Sequence, residues 1–315
     1  DIIEQSSCIV FKDKKMITYN DEIACSYDSV IDQTMAIKAT PLVSILRKLK
    51  EDELEVEVVE GEFVIKGKRK QAAIRMSTEI FLPVDAIEKP EKWKKLPEGF
   101  TEAIKLVQNC ASKDDSQFVL TCVHIHPNWI ESMDNTQAGR FTLDTNFKEP
   151  ILIRRDSIKN IISFDMTDFS TTANWIHFKN PAGLVLSCRR YMEEYPDLTP
   201  ILKVSGNKVS FPKGIAEAVE KAEVFSTENV NDNLVLIRID DGKLKIEGEG
   251  VSGKYKEFKN IKYKGPKIAF RISPSLLIDL VQRHNECELT EDRLKIEIGN
   301  LIYVSVLEKT QKSAK

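Results

Sequence analysis

Apolar and polar residues alternate with a period of two in two charged stretches of the chain. Leu54, Val56 and Val58 interleave with glutamates before Glu60-Gly61, and Leu294, Ile296 and Ile298 interleave with Lys295 and Glu297. That period places the apolar side chains on one face and predicts half-buried strands of hairpins. A longer period marks short amphipathic helices, with apolar stripes at Leu42, Ile45, Leu46 and Leu49, at Ile158, Ile161 and Ile162, and at Leu276, Leu277, Leu280 and Val281. Each helix is preceded by a β-like lead-in and a residue able to cap it: Thr40, Asp156 and Ser273 are the expected N-caps, each accepting a hydrogen bond from a first-turn N–H. Pro41 and Pro274 follow two of them, at the first helical position, where proline sacrifices no helical hydrogen bond.

The three caps recur at intervals of 116 and 117 residues. A second pair, Pro97-Glu-Gly-Phe-Thr-Glu-Ala-Ile and Pro212-Lys-Gly-Ile-Ala-Glu-Ala-Val, marks another helix start offset by 115 residues, and the strand around Phe11 matches that around Ile239 across 228 residues, two such periods. Agreement of independent elements on one period predicts three tandem α+β units, each with two short helices among antiparallel strands and a hairpin at a turn such as Asp241-Gly242. The expected domains are 1–93, 94–207 and 208–315. One period back from Pro97 lies before residue 1, so the first unit's first helix is expected either upstream of this sequence, which opens with Asp1 rather than methionine, or lost from the protein.

The chain has 315 residues, 42% hydrophobic, and no apolar run near the roughly 20 residues that span a bilayer, so a cytoplasmic protein is expected. Six scattered cysteines without a CxxC pair read as reduced core thiols. A net charge of −3 means that any nucleic-acid role must come from a local basic surface. His124 and His126 share a strand face but lack a third ligand at matching spacing, so no metal is expected. No phosphate-binding glycine loop and no nucleophile motif occurs, so no cofactor and no enzymatic activity are expected. The basic stretch Lys66–Lys70 reads as solvated hairpin charge.

Cys188-Arg-Arg-Tyr-Met-Glu-Glu-Tyr-Pro-Asp-Leu-Thr-Pro-Ile-Leu202, Leu96-Pro97 before a helix, Val224-Phe225-Ser226 and the terminal Tyr303-Val304-Ser305-Val306-Leu307 resemble the bacterial β sliding clamp, the processivity subunit of the replicative polymerase. With the three units, the resemblance covers nearly the whole chain. Two departures point to a divergent, phage-like member: Asp134-Asn-Thr-Gln-Ala-Gly-Arg-Phe141 stands where the family has Thr-Asp-Gly-His-Arg-Leu, and a polar tail runs on to Lys315.

The resemblance implies a DNA clamp fold and a ring-forming head-to-tail homodimer around duplex DNA, bound without sequence preference. It also implies DNA polymerase and clamp-loader partners that dock through short peptide motifs. The polar helix faces then supply the expected DNA-facing residues Arg47, Lys48, Lys50, Lys105, Gln108, Lys159, Gln282 and Arg283. The implied partner-peptide groove comprises Phe118, Arg140, Phe141, Pro196, Ile201, Val304, Val306 and Leu307, and the implied dimer interface Leu96, Val224 and Phe225. The rival expectation is a clamp-like monomeric scaffold for protein interactions that does not encircle DNA.

Overall fold

The computed structural model describes residues 3–51, 53–227, 233–290 and 292–306, without the side chains of residues 279 and 283. Six α-helices occur among the described residues: α1 Ala39–Leu46, α2 Phe100–Val107, α3 Arg155–Ile158, α4 Thr199–Leu202, α5 Ile215–Ser226 and α6 Pro274–Arg283. None is long and apolar enough to cross a membrane. The chain divides into two compact units, Asp1–Leu96 with Asp156–Tyr191, and Pro97–Arg155 with Met192–Lys315. The strands of the stretch 94–207 are therefore shared out between the two units.

The first unit is built on an eleven-stranded antiparallel sheet, in the order Glu55–Val59, Glu62–Gly67, Lys70–Ser77, Met35–Lys38, Cys8–Lys12, Lys15–Tyr19, Ile23–Asp28, Val185–Arg189, Trp175–Lys179, Asp168–Thr171, Lys94–Lys95. Alternation along its strands feeds two cores. Phe11 and Ile37 join Leu42 of α1 with Met35, Phe63 and Ile65, whereas Val10 and Ala36 join Tyr19, Leu82 and Trp175. Two-residue turns at Asp13-Lys14 and Glu60-Gly61 have positive φ throughout, the backbone twist that tight hairpins favour.

The second unit holds an eight-stranded sheet, ordered Ile151–Arg154, Cys122–His126, Trp129–Met133, Gln137–Thr142, Leu301–Val306, Arg293–Ile298, Glu286–Leu289, Asn207–Ser210. It also holds a four-stranded sheet, ordered Gly253–Asn260, Lys243–Gly250, Val235–Asp240, Ile268–Ile272. The predicted Asp241-Gly242 turn joins two of these strands with φ of 43° and 69°. α5 lies so close to this sheet that a Cβ on Gly248 would fall 1.9 Å from the Ala222 carbonyl oxygen, so only glycine fits there. The repeated Pro-x-Gly has a structural reason. Gly99 and Gly214 sit directly before α2 and α5 at φ of 83° and 74°, a left-handed conformation that glycine adopts without strain.

The expected caps fare less well. The strand Met35–Lys38 stays paired as far as Lys38, and the Ala39 amide donates to the Ser7 carbonyl, so α1 starts at Ala39 and Thr40 lies inside its first turn. Asp156 is likewise inside α3, paired with Lys159 at 2.7 Å. Ser273 does occupy the N-cap of α6, but its hydroxyl lies 3.1 Å from that of Ser275 and caps no amide. The two alternating hairpins also differ: Leu294 and Ile296 are fully buried, while Val56 is 44% exposed.

Candidate functional site

One face of the eight-stranded sheet gathers most of the chemistry. The registers Glu131↔Arg140 and Glu131↔His124 set these three side chains in a row across three strands, and Trp129↔His126 sets a second row beside them. Glu131 is only 2% exposed, and a buried carboxylate is tolerated only with partners. It has two: Arg140 Nε donates to Oε2 at 2.6 Å, and His124 Nδ1 lies 2.8 Å from Oε1. The Arg140 guanidinium lies 4.5 Å from the centre of the Trp129 ring, which in turn stacks on His126 at 3.6 Å. Burial, with His124 alongside, lowers the His126 pKa below the ordinary imidazole value.

The segment leading into α4 lies over this face. Tyr195 stacks on His124 at 4.8 Å, and its hydroxyl accepts the Met133 amide at 2.9 Å. Arg140 Nη1 donates to Thr199 Oγ1 at 3.3 Å, and Arg293 Nη1 donates to the Ile201 carbonyl at 3.4 Å, so two arginines tie α4 to the sheet. The terminal strand continues the face. Arg140↔Ile302 and Ala138↔Val304 place Ile302, Val304 and Val306 on the same side, with Val304 buried and Val306 49% exposed.

Of the predicted groove residues, Arg140, Ile201, Val304 and Val306 are therefore brought together, with exposed Pro196 next to Tyr195 on the same connection. Two residues need correction. Phe141 pairs with Leu301 and so projects from the opposite face, the one on which Gly139 abuts Cys110 and the Tyr303 hydroxyl donates to Gln137. Phe118 is held beneath Arg154, whose guanidinium lies 5.8 Å from the ring centre, on the sheet's edge strand. That strand is three positions from Gln137–Thr142, roughly 14 Å at the usual strand spacing. Leu307 lies outside the described residues. The sequence pattern did not single out Trp129, Glu131, Tyr195 or Thr199. Alternation in Trp129-Ile-Glu-Ser-Met133 carried a signal for the first two; nothing local pointed to the others.

The DNA-facing candidates whose side chains are described are exposed or half-buried on or next to helices, but Lys48 and Lys50 lie beyond the end of α1 rather than on a helix face. In the first unit, Arg47, Lys48 and Lys50 are exposed at and beyond the end of α1, and Lys159 is exposed but paired with Asp156. In the second unit, Lys105 is exposed between the buried Ile104 and Leu106 of α2, Gln108 is half-buried at its C-cap, and Gln282 is exposed on α6. The side chain of Arg283 lies outside the described part. For the interface candidates, Val224 is 64% exposed on α5, and Phe225 is half-buried with its ring against Gly253. Leu96 is half-buried, its amide bonded to the Thr167 carbonyl in the first unit. Among the described residues no three His, Cys, Asp or Glu side chains are grouped to hold a metal.

No protein-family model matches this chain, and no curated protein matches it. Solved structures do. A sliding clamp from Pseudomonas aeruginosa, DNA polymerase III subunit beta bound to griselimycin, superposes with a TM-score of 0.74 at 13% identity, covering 98% of this chain and 93% of its own. The DNA polymerase III beta chain from Streptococcus pneumoniae TIGR4 superposes with a TM-score of 0.73 at 15% identity, covering 97% and 92%. The architecture of mixed helices and antiparallel sheets is thus the DNA clamp fold over almost the whole length.

Proposed function

We propose that this chain is a sliding clamp protomer, a processivity factor that encircles duplex DNA and tethers a replicative polymerase without chemistry or cofactor of its own. The observation that carries this reading is the extent of the fold match, 98% of this chain against 93% of a sliding clamp. Three clamp domains, 1–93, 94–207 and 208–315, repeat along the chain, and two copies close head to tail through Val224 and Phe225 of one and the Leu96 region of the other. The protein works in a bacterial cytoplasm.

The charge distribution supports the reading. Net charge is −3, yet Arg47, Lys48, Lys50 and Lys105 are exposed on or beside helices whose other faces are core. Cations held at the ends and faces of helices attract phosphates in any register, which is what movement along DNA requires. The Arg140 face, with Ile201, Pro196, Val304 and Val306, supplies an apolar floor and charged head for a short peptide with aliphatic and aromatic anchors, the mode by which polymerase and loader dock.

The test is topological. The chain is loaded onto circular plasmid by a clamp loader and sized before and after a single cut, with the mass of free protein read on the same column. Retention on circles that is lost through free ends, with a dimeric free mass, is the expected result. A monomer that treats circles and lines alike overturns it in favour of a protein-interaction scaffold.

A further inference from the structure

The eight-stranded sheet of the second unit ends in the strand Asn207–Ser210, which is paired with Glu286–Leu289 on one side only. The Phe211 amide donates to the Asn285 carbonyl at 2.6 Å, directly across from it in the register that continues Ser210↔Glu286. Residues of an antiparallel strand turn their backbone groups towards the partner alternately. Asn207 and Val209 therefore bond inward, and Lys208 and Ser210 direct their N–H and C=O groups to the open side. Among the described residues those groups have no hydrogen-bond partner.

A cleft of about 690 Å³ adjoins this strand. None of Glu286–Leu289 lines it, so it lies on the strand's open side. It is also lined by the Asp241-Gly242 turn and the connection 261–265, which the Ile261 amide fastens to the Gly242 carbonyl at 2.9 Å. Ile261 and Tyr263 are buried, and Lys262 and Lys264, which alternate with them, are exposed. With Lys208, three lysines line the cleft against one acid, Asp241. None of the three makes an ion pair among the described residues, and Glu288, opposite Lys208, takes the Gly206 amide at 3.3 Å instead.

We propose that the edge of Asn207–Ser210 takes up an extended, acidic segment of a protein partner as an added strand, its backbone on Lys208 and Ser210 and its carboxylates on Lys208, Lys262 and Lys264. A lone lysine on an edge strand keeps other strands away. Lysines on both sides of a cleft beside an open edge instead select a strand of opposite charge. Alternating donors and acceptors along the edge match a peptide backbone, whereas a phosphate chain would leave the C=O groups unmet. The strand lies four positions from Gln137–Thr142 in the sheet, roughly 19 Å at the usual spacing, so this partner docks apart from the Arg140 face.

The test uses the full chain without DNA and a fluorescein-labelled peptide, Glu-Val-Glu-Val-Glu-Val, read by anisotropy, with hydrogen exchange followed in the segment 207–210. Binding that slows exchange there is expected, and the charge-reversed Lys-Val-Lys-Val-Lys-Val should not bind. Ser210→Pro removes one outward N–H at no cost to the sheet's own bonds and is expected to weaken binding about tenfold. Lys262→Gln/Lys264→Gln should weaken it about fivefold, and Lys89→Gln/Lys92→Gln, on exposed lysines of the first unit, should leave it unchanged. Should Ser210→Pro melt early, the wild-type chain with a peptide N-methylated at alternate residues measures the same backbone contact, and binding should again be lost. A wild-type chain that does not bind the acidic peptide, or that binds it without slowing exchange in 207–210, overturns the proposal. So does binding that the lysine changes weaken but that a folded Ser210→Pro or the N-methylated peptide leaves intact, since charge attraction alone would then account for it. Each of these failures leaves the clamp reading standing, because neither DNA nor the Arg140 face takes part.

Discussion

Each unit of this protein sets a histidine on an inner strand of an antiparallel sheet, and the two are handled in opposite ways. In the first unit His177 is fully buried, with Nδ1 2.7 Å from the Ser187 hydroxyl and Nε2 3.3 Å from that of Thr172. Both partners are neutral, and burial pushes its pKa down to about 4 against a weaker opposing pull from Glu88. In the second unit His124 faces the buried carboxylate of Glu131, which is shared with Arg140. Hydroxyl partners let a ring stay buried and uncharged. A buried carboxylate instead demands a cation, and here that cation also holds α4 through Thr199.

The sharpest way to break the contrast is Arg140→Ala. Removing one partner of a buried ion pair leaves the other uncompensated, so a loss of about 3–5 kcal/mol in urea unfolding is expected. Pairing it with Glu131→Gln should recover part of that loss, because the orphaned charge goes too. Full additivity of the two single changes would show that the pair is not coupled.

The pH dependence comes next. The folded His177 pKa, about 4, lies below the ordinary 6.5, so the unfolded chain binds a proton that the folded one refuses. The contribution of His177 is fully present above pH 6.5 and is lost as pH falls towards 4, by on the order of 3 kcal/mol at about 1.36 kcal/mol per pH unit. His177→Gln should flatten this part of the stability profile, and an unchanged slope between pH 6.5 and 4 would refute the assignment.

The smallest effect expected is that of Ser187→Ala. It strips a neutral partner from Nδ1 and should cost about 1–3 kcal/mol at pH 7, below the Arg140 change. Thermal melting of the two variants side by side checks that order.

Much of the fold was legible along the chain. The Pro-x-Gly pair marked the starts of α2 and α5, Asp241-Gly242 marked a hairpin, and the apolar stripe of α6 marked a core helix, whereas of the α1 stripe only Leu42 is buried and Leu46 is exposed. These signals arise from geometry repeated within a few residues, so they need no knowledge of what lies opposite. The caps were read less well. A single alternative partner, such as the Ser7 carbonyl for the Ala39 amide, is enough to move a helix start.

The sequence by itself determined the α+β class and the apolar faces of helices and strands, because the periods of 3.6 and 2 belong to the backbone. Only the tertiary structure decided what each face meets. Val56 and Ile296 follow the same alternation, yet one is exposed and the other sealed, since burial depends on which segment covers the strand. Phe141 and Arg140 are adjacent in sequence and project from opposite faces, and only the register against the distant Ile302 assigns Arg140 to the side of the terminal valines. Such pairings join residues separated by tens to hundreds of positions, and they are set by the folded chain as a whole rather than by any local pattern.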